Sequence, residues 1–138
     1  MNKNSEAPLM FDGYKINYIK YFNHDVENDV EEIESSINVG FALSKDLKNG
    51  LVVQTVGFVN TDRNISGKLK ITGQYTFVEG LDKEQSEQLL AQNGAAMLYP
   101  YLRTIVSIIS GLDEDNVSVL PSLNFRDAYL ESRKDKKA

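Results

Sequence analysis

The stretch from residue 94 to residue 112, GAAMLYPYLRTIVSIISGL, is the most apolar part of the chain. Apolar residues recur in it at spacings of three and four, which predicts one stripe of a helix. That stripe comprises Leu98, Leu102, Ile105, Ile109 and Leu112, and Met97, Tyr99, Tyr101, Val106 and Ile108 widen it. A helix that is apolar around most of its circumference must be covered on more than one side. We therefore expect a sheet on one side and a second subunit on the other. The candidate interface residues are Leu98, Leu102, Ile105, Ile108 and Ile109.

A transmembrane helix is the alternative interpretation of this stretch, and its composition argues against it. Such a helix needs about 20 predominantly apolar residues, and an arginine at its centre costs about 2.5 kcal/mol or more. Arg103 lies in the middle, with Thr104 and Ser107 close by. Pro100 lacks an N–H group and predicts a bend or restart near residues 93–97. Gly111 is a natural helix end.

Length and composition favour a single small domain that spans residues 1–138, with residues 1–10 and 134–138 expected to be flexible. The chain has no cysteine, so disulfides and cysteine-based metal sites are excluded. The first residues lack the apolar segment of a secretory signal, and we expect a cytoplasmic protein. The formal net charge of −5 disfavours a general nucleic-acid binder, which would show a basic face.

Four strands are predicted before the helices, near residues 14–22, 37–47, 51–60 and 65–78. In the first, Tyr14, Ile16, Tyr18 and Phe22 are expected on one face. The dipeptide Asn49-Gly50 predicts a hairpin turn, because both turn positions favour positive φ. The fourth strand alternates apolar and polar residues, as a half-buried antiparallel strand does. Its polar face, which includes Lys68 and Lys70, is expected to face water.

Three helices are predicted after the strands, at residues 83–92, 95–110 and 124–133. Asn93-Gly94 is expected to break the chain between the first two. Asn124 is expected to cap the last helix, because its side chain can accept from unpaired N–H groups of the first turn. A run of strands followed by a run of helices predicts an α+β fold, with a four-stranded antiparallel sheet and the helices packed on one face.

No catalytic constellation is present in the sequence. The single histidine, His24, lies in an acidic run between residues 23 and 36, next to Asp25. A general base also needs a shaped site and an orienting partner, so we expect no enzyme activity and no catalytic residue. The acidic run lacks the ligand and glycine spacing of a calcium loop, and we interpret it as a solvated loop. No metal and no cofactor is expected.

The aromatic residues are the unusual feature of the composition, with seven tyrosines, six phenylalanines and no tryptophan. Two interpretations stay open: these rings form the core, or some of them line a groove for apolar peptide. Aromatic rings provide a large contact area at low entropic cost. The candidate peptide-binding residues are Tyr18, Phe41, Phe58, Tyr75, Phe77, Tyr99 and Tyr101.

Three segments in the second half resemble the bacterial export chaperone family SecB. They are GQYTF at 73–77, NGAAMLYPYLR at 93–103 and VLPSLNF at 119–125. The family shows a strand ending in an aromatic residue, a Leu-Phe-Pro-Tyr-type segment followed by an arginine and an apolar helix, and a Pro-x-x-Asn-Phe start to the last helix. The first 60 residues match only in pattern.

The resemblance implies a four-stranded antiparallel sheet with helices, assembled as a dimer of dimers, and ATP-independent binding of unfolded or precursor polypeptides for the Sec translocase. In the family, acidic residues on the exposed sheet face dock the translocation ATPase SecA. The corresponding strand here presents Lys68 and Lys70, and like charges would weaken that docking. The alternative is a SecB-fold oligomer that binds one specific partner, such as an antitoxin. Neither nucleic-acid binding nor membrane insertion is expected.

Overall fold

The computed structural model describes residues 7–113 and 119–137. Its elements, in chain order, are β1 (Leu9–Asn23), β2 (Ser36–Leu43), β3 (Asn49–Asn60), β4 (Ile65–Phe77), α1 (Lys83–Leu89), a π-helical turn (Leu90–Gly94), α2 (Ala95–Asp113) and α3 (Phe125–Lys137). Of the ends expected to be flexible, residues 1–6, residue 138 and the side chains of 134–137 lie outside the described residues. Leu9 and Met10 belong to β1, and the backbone of α3 continues to Lys137.

The strands form one antiparallel sheet in the order β1-β4-β3-β2, and the predicted α+β architecture is confirmed. The helices pack on one side, here called the inner face; the opposite side is the outer face. Along β4 the inner face carries Leu69, Ile71 and Tyr75, all fully buried. Lys68 and Lys70 on the outer face are partly exposed, as the alternation predicts.

Strand β1 departs from simple alternation, and the prediction that Tyr14, Ile16, Tyr18 and Phe22 share a face is wrong. Two register shifts interrupt its pairing with β4, one at Asp12 and one at Asn17. Tyr14 and Ile16 pair with inner-face residues of β4, whereas Tyr18 pairs with outer-face Lys70. Because an extra residue moves everything after it to the other face, Tyr18 and Phe22 lie on the outer face.

The extra residue of each bulge is held by a threonine of the neighbouring strand. Thr76 Oγ1 donates to Asp12 Oδ2 at 2.6 Å, and Thr72 Oγ1 donates to Asn17 Oδ1 at 2.7 Å. Gly13 follows the first bulged residue with a φ of 120°, which an L side chain rarely adopts. The bulges are therefore fixed features of the strand.

The turn between β2 and β3 lies before the predicted Asn49-Gly50 position. Asn49 and Gly50 are already in β3, paired with Thr76 and Tyr75. The chain reverses over residues 44–48, where Asp46 accepts hydrogen bonds from the Ser44 hydroxyl and the Lys48 amide. Leu47 supplies the positive φ, 60°. The prediction failed because local Ser and Asp hydrogen bonds provide a turn that competes with the Asn-Gly turn.

Helices α1 and α2 are continuous through the π-helical turn, so the predicted break at Asn93-Gly94 is wrong. Gly94 is buried there, and an added Cβ would lie 3.2 Å from Val52 Cγ2 and 3.1 Å from Leu90 Cδ1. The glycine thus allows close approach of helix and sheet. The Gln54 side chain of β3 donates to the Ala95 carbonyl at 2.8 Å, and the helix continues to Asp113, past Gly111.

The helical run Lys83–Leu112 is long and apolar enough to cross a membrane by length and composition, a test that core helices of soluble proteins also pass. In this structure one side of α2 packs on the sheet, with Leu98, Leu102 and Val106 fully buried. Arg103 uses its Nε to donate to the Leu120 carbonyl at 3.2 Å. The helix is thus half of a core, with its opposite side uncovered in the single chain.

Candidate functional site

An apolar groove lies between the edge strand β2 and helix α3. Ile37, Val39 and Phe41 alternate along β2 and pair with inner-face residues of β3. They are respectively 37%, 41% and 38% exposed, although they point to the helical side. The helices cover β3 and β4 and leave this edge partly open. The result is one wall of three large apolar side chains at alternate positions of a strand.

The other wall is a stripe of helix α3. Phe125, Ala128, Tyr129 and Ser132 follow the i, i+3, i+4, i+7 spacing of one helical face, and all line the groove. Leu123 and Ala91 complete the lining. The enclosed volume is about 590 Å³. Pockets of roughly 300–1,000 Å³ hold small ligands or a few side chains of a peptide.

Charged groups mark one end of the groove. Glu87 of α1 and Arg133 of α3 both line it. The Arg133 guanidinium donates to the Tyr129 hydroxyl at 2.7 Å. That hydrogen bond, with smaller effects of the Glu84 and Glu87 carboxylates, raises the pKa of Arg133 above its usual value. The groove therefore has an apolar interior and a polar rim, the arrangement that binding sites for apolar side chains commonly show.

Two hydrogen bonds from α2 hold the segment that leads into α3. The Tyr99 hydroxyl donates to the Pro121 carbonyl at 2.8 Å, and Arg103 donates to Leu120. The Tyr99 ring meets Phe125 edge-on, with centroids 5.0 Å apart. Asn124 caps α3 as predicted, accepting from the Asp127 amide at 3.1 Å. These contacts fix the start of the helix that forms one wall.

A second cavity of about 930 Å³ lies on the other side of the same segment. It shares Leu123 and Phe125 with the groove and extends along the π-helical turn and the start of α2, where Asn93, Ala96 and Met97 line it. Leu123 and Phe125 thus separate two openings. Together the openings offer more room than the β2–α3 groove alone.

The structure divides the seven predicted peptide-binding aromatics among different environments. Phe58, Tyr75, Phe77 and Tyr99 are buried in the core of the single chain, at 6% exposure or less. Because their rings fill the space between sheet and helices, they are not available to line a surface groove. Among the seven, only Phe41 lines the β2–α3 groove.

The other two candidates lie elsewhere on the surface. Tyr101 of α2 stacks on Phe11 and tilts against Tyr14, at the β1 side of the molecule. Tyr18 lies on the outer face, where its ring is 5.3 Å from Lys20 Nζ. The predicted aromatic groove therefore does not form as one surface, because the bulged β1 turns Tyr18 away and the helices separate Tyr101 from Phe41.

The predicted interface residues of α2 also divide into two groups. Leu98 and Leu102 are fully buried against the sheet, so they belong to the core and not to an exposed surface. Ile105 and Ile109 are half-buried, and Ile108 is 58% exposed. Met97, Tyr101 and Leu112 are exposed by 39%, 42% and 82%. With Ile108, they follow one helical stripe. Of these four residues, only Ile108 was among the predicted interface residues; the other three were predicted only to belong to the apolar stripe or to widen it.

Most of the groove lining was missed from sequence: Ile37, Val39, Leu123, Ala128, Tyr129 and Ser132. The signals were present, since the alternation of β2 and the spacing of α3 are both readable. What the sequence lacked was the strand order. Because β2 is at the edge of the sheet, its alternating apolar residues line a groove; in a central strand the same residues would be buried in the core.

His24 and Asp25 do not act on each other. His24 Nε2 lies 2.7 Å from Ser66 Oγ, and Asp25 accepts from the Asn64 amide at 2.9 Å. These contacts attach the start of the acidic loop, residues 24–35, to Asn64 of the β3–β4 turn and to Ser66 near the start of β4. Ser66 is buried at 2% exposure, whereas His24 is only partly buried. The contact between His24 and Ser66 therefore fits a structural role for His24.

Comparison with solved structures places the fold. The Mycobacterium tuberculosis SecB-like chaperone Rv1957, in complex with a ChAD peptide from the Rv1956 HigA1 antitoxin, aligns with a TM-score of 0.63 and 12% identity over 84% of this chain and 91% of that chain. A Streptococcus agalactiae protein of unknown function aligns with a TM-score of 0.51 and 15% identity over 83% and 97%. No protein-family model and no curated protein matches the sequence. The chain has a SecB-like fold.

Proposed function

We propose that this protein is an ATP-independent chaperone that binds non-native polypeptide in the β2–α3 groove. The observation that carries the proposal is the row Ile37, Val39, Phe41, which faces the apolar stripe of α3 across an open space and is more than a third exposed. Exposed apolar surface of this kind is uncommon on soluble proteins and marks interaction sites. The likeness to a SecB-like chaperone solved with an antitoxin peptide supports a polypeptide ligand.

The second candidate is a chaperone dedicated to one client. Its support is the same neighbour, whose bound peptide comes from an antitoxin. A dedicated binder and a general one differ in how many unrelated sequences compete for the groove. The outer face argues against delivery of precursors to SecA. It carries lysines, whereas the SecA-docking face of the family is acidic.

Self-association completes the proposal. Met97, Tyr101, Ile108 and Leu112 form an exposed apolar stripe of α2, beside the residues that are buried against the sheet. The Tyr101 ring also packs on Phe11 and Tyr14 of β1. Strand β1 is the other edge of the sheet. Its inner-face residues Ile16 and Ile19, 48% and 45% exposed, add further apolar surface. A second copy of the chain would cover such a stripe, and a closed symmetric dimer, or a dimer of dimers, satisfies it in both copies.

The test compares two glutamate substitutions on the same strand. Val39→Glu places a charge in the groove, whereas Ala42→Glu places it on the outer face, where Ala42 is exposed. The readouts are suppression of the thermal aggregation of a model protein without nucleotide, and circular dichroism to confirm folding. We expect Val39→Glu to lose most of the suppression and Ala42→Glu to retain it.

The outcome of the same assay separates the candidates. Suppression by the wild type across several unrelated clients supports the general chaperone. Failure on all of them, with one protein retained by the wild type and released by Val39→Glu, supports the dedicated one. Equal activity of both glutamate variants would exclude the groove as the client site.

A further inference from the structure

The outer sheet face carries a basic cluster on an otherwise acidic protein. Lys15 and Lys20 of β1 and Lys68 and Lys70 of β4 all point to this face, and Lys20 pairs directly with Lys68 in the register. Like charges opposite each other in a sheet are destabilising. A chain with a formal net charge of −5 nevertheless places four lysines on two adjacent strands of one face. We call Lys15, Lys20, Lys68 and Lys70 the lysine face.

A carboxylate of the chain is already bound to this face. Glu31 Oε2 lies 3.0 Å from Lys20 Nζ, whose ammonium is also 5.3 Å from the Tyr18 ring. The hydrogen bond and charge of Lys20, and more weakly the charge of Lys68, lower the pKa of Glu31. The acidic loop crosses β3 at Gly57, where an added Cβ would lie 2.3 Å from the Glu34 carbonyl oxygen. The loop is thus placed to present carboxylates to the lysines.

The bound carboxylate leaves most of the lysine face without a partner. Within the side chains that the structure describes, no carboxylate forms an ion pair with Lys15, Lys68 or Lys70. Lys20 and Glu31 are themselves 41% and 45% exposed. Exposed ion pairs contribute little to stability, so the Glu31 side chain can be displaced from Lys20 at small cost. A cavity of about 290 Å³ lies between loop and sheet, lined by Glu31, Gly57 and Lys68 among others.

We propose that the lysine face binds an extended acidic segment of a partner polypeptide, which replaces Glu31. Residues i and i+2 of a strand lie roughly 6.6 Å apart on one face. Lys68 and Lys70 have that spacing, and so do alternate carboxylates of an extended peptide. Lys20, paired with Lys68, offers a third position across the strands. This surface is opposite to the β2–α3 groove and independent of the proposed client site.

The charges favour a polypeptide over a nucleic acid as the occupant. Glu32 and Glu34 of the acidic loop line the same cavity, and the whole chain is acidic. A long polyanion is repelled by such surroundings at distances up to about a Debye length, roughly 8–10 Å. A short segment with a few carboxylates spans only the four lysines and the nearest part of the acidic loop, where Glu31, Glu32 and Glu34 line the cavity. The lysine face attracts carboxylates, whereas the rest of the acidic chain repels them. A short acidic segment is therefore favoured over a long one.

The experiment measures the fluorescence anisotropy of a labelled synthetic peptide that alternates glutamate and threonine over about ten residues. Lys68→Gln combined with Lys70→Gln should weaken binding roughly tenfold, since two exposed contacts are lost. Lys45→Gln combined with Lys83→Gln removes two exposed lysines elsewhere and should leave the affinity unchanged. Glu31→Gln should tighten binding several-fold, because the internal competitor is removed.

Three results would overturn the proposal. They are the absence of binding to both the wild type and Glu31→Gln, equal weakening by the two lysine pairs, and tighter binding of a single-stranded oligonucleotide of equal charge. A peptide of the same charge with its glutamates at every third position puts successive carboxylates on opposite faces of an extended chain, and equal affinity would contradict the extended register. Aggregation suppression by Lys68→Gln/Lys70→Gln should equal that of the wild type, which separates this surface from the groove.

Discussion

The phenol of Tyr75 in β4 donates a hydrogen bond to the carbonyl oxygen of Gly94, the last residue of the π-helical turn. The ring is 1% exposed and packs against Phe11 with centroids 5.4 Å apart. A π-helical turn has i→i+5 hydrogen bonds, so its carbonyls depart from the regular α-helical hydrogen-bond pattern. Two side chains of the sheet compensate for this: Tyr75 donates to the carbonyl of Gly94, and Gln54 donates to the carbonyl of Ala95.

Tyr75→Phe should destabilise the fold, because the Gly94 carbonyl is then left buried without the phenol. The expected loss in the free energy of unfolding is about 1–3 kcal/mol. Urea denaturation followed by circular dichroism measures it. Tyr101→Phe is the matched control, since Tyr101 is 42% exposed and its substitution should change stability little. Equal effects of the two substitutions would show that the Tyr75 hydrogen bond is not important for stability.

Stability should decline at alkaline pH, partly through Tyr75. Burial raises the pKa of this phenol above its ordinary value of about 10. A raised pKa in the folded state means that the contribution of Tyr75 is fully present below about pH 10 and is lost as the pH rises further. The loss is about 1.4 kcal/mol per pH unit above that point. Tyr75→Phe should remove this increment, so its free energy of unfolding should fall less steeply between about pH 10 and 11. Parallel curves for the two proteins would contradict the assignment.

Gly67→Ala and Gly40→Ala should differ sharply, although both glycines lie within strands. A Cβ on Gly67 would lie 2.2 Å from Phe58 Cζ, in the core, whereas nothing lies within 4 Å of a Cβ on Gly40. We expect Gly67→Ala to cost about 1–3 kcal/mol through overpacking. Gly40→Ala should be neutral or stabilise by up to about 1 kcal/mol, because alanine has less backbone freedom to lose. Thermal denaturation of both variants checks the contrast.

Ile108→Asp should dissociate the proposed oligomer while leaving the fold intact. Ile108 is 58% exposed in the single chain, so its replacement costs little until a second copy covers it. Leu102→Asp should instead prevent folding, because Leu102 is fully buried. Sedimentation velocity gives the mass and circular dichroism the fold. Gln88→Asp on the exposed side of α1 is the control for added charge.

Either of two results would contradict the assignment of the α2 stripe. The wild type could sediment as a monomer, which removes the oligomer. Alternatively, Ile108→Asp could keep the wild-type mass, which moves the interface to another surface.

The order of strands followed by helices and the long apolar helix were predictable, because both follow from the spacing of apolar residues in the sequence. The fold was predicted correctly even where element ends shifted, as at β1, which begins at Leu9 instead of residue 14. Its bulges were not predicted, since they depend on hydrogen bonds from Thr72 and Thr76 to a strand more than 50 residues away. A pattern read along one strand contains no information about such a partner.

The candidate site was predicted less well than the fold. Phe41 was identified, but its neighbours Ile37 and Val39 were not, because the sequence does not show that β2 is an edge strand. Core and groove aromatics look alike in sequence, because burial depends on which strand a helix covers. Tyr75 and Phe41 illustrate this, as both are inner-face aromatics and differ in exposure from 1% to 38%.

The bulge at Asn17 also has a consequence for protein engineering. Pairing resumes on either side of it, with Ile16 opposite Ile71 and Tyr18 opposite Lys70, which are neighbours in β4. Removing Asn17 altogether would therefore join two segments that are already aligned, at the loss of one contact to Thr72. Shortening the chain by one residue in mid-strand usually scrambles every later pairing; here it should yield a straighter β1 with the same neighbours.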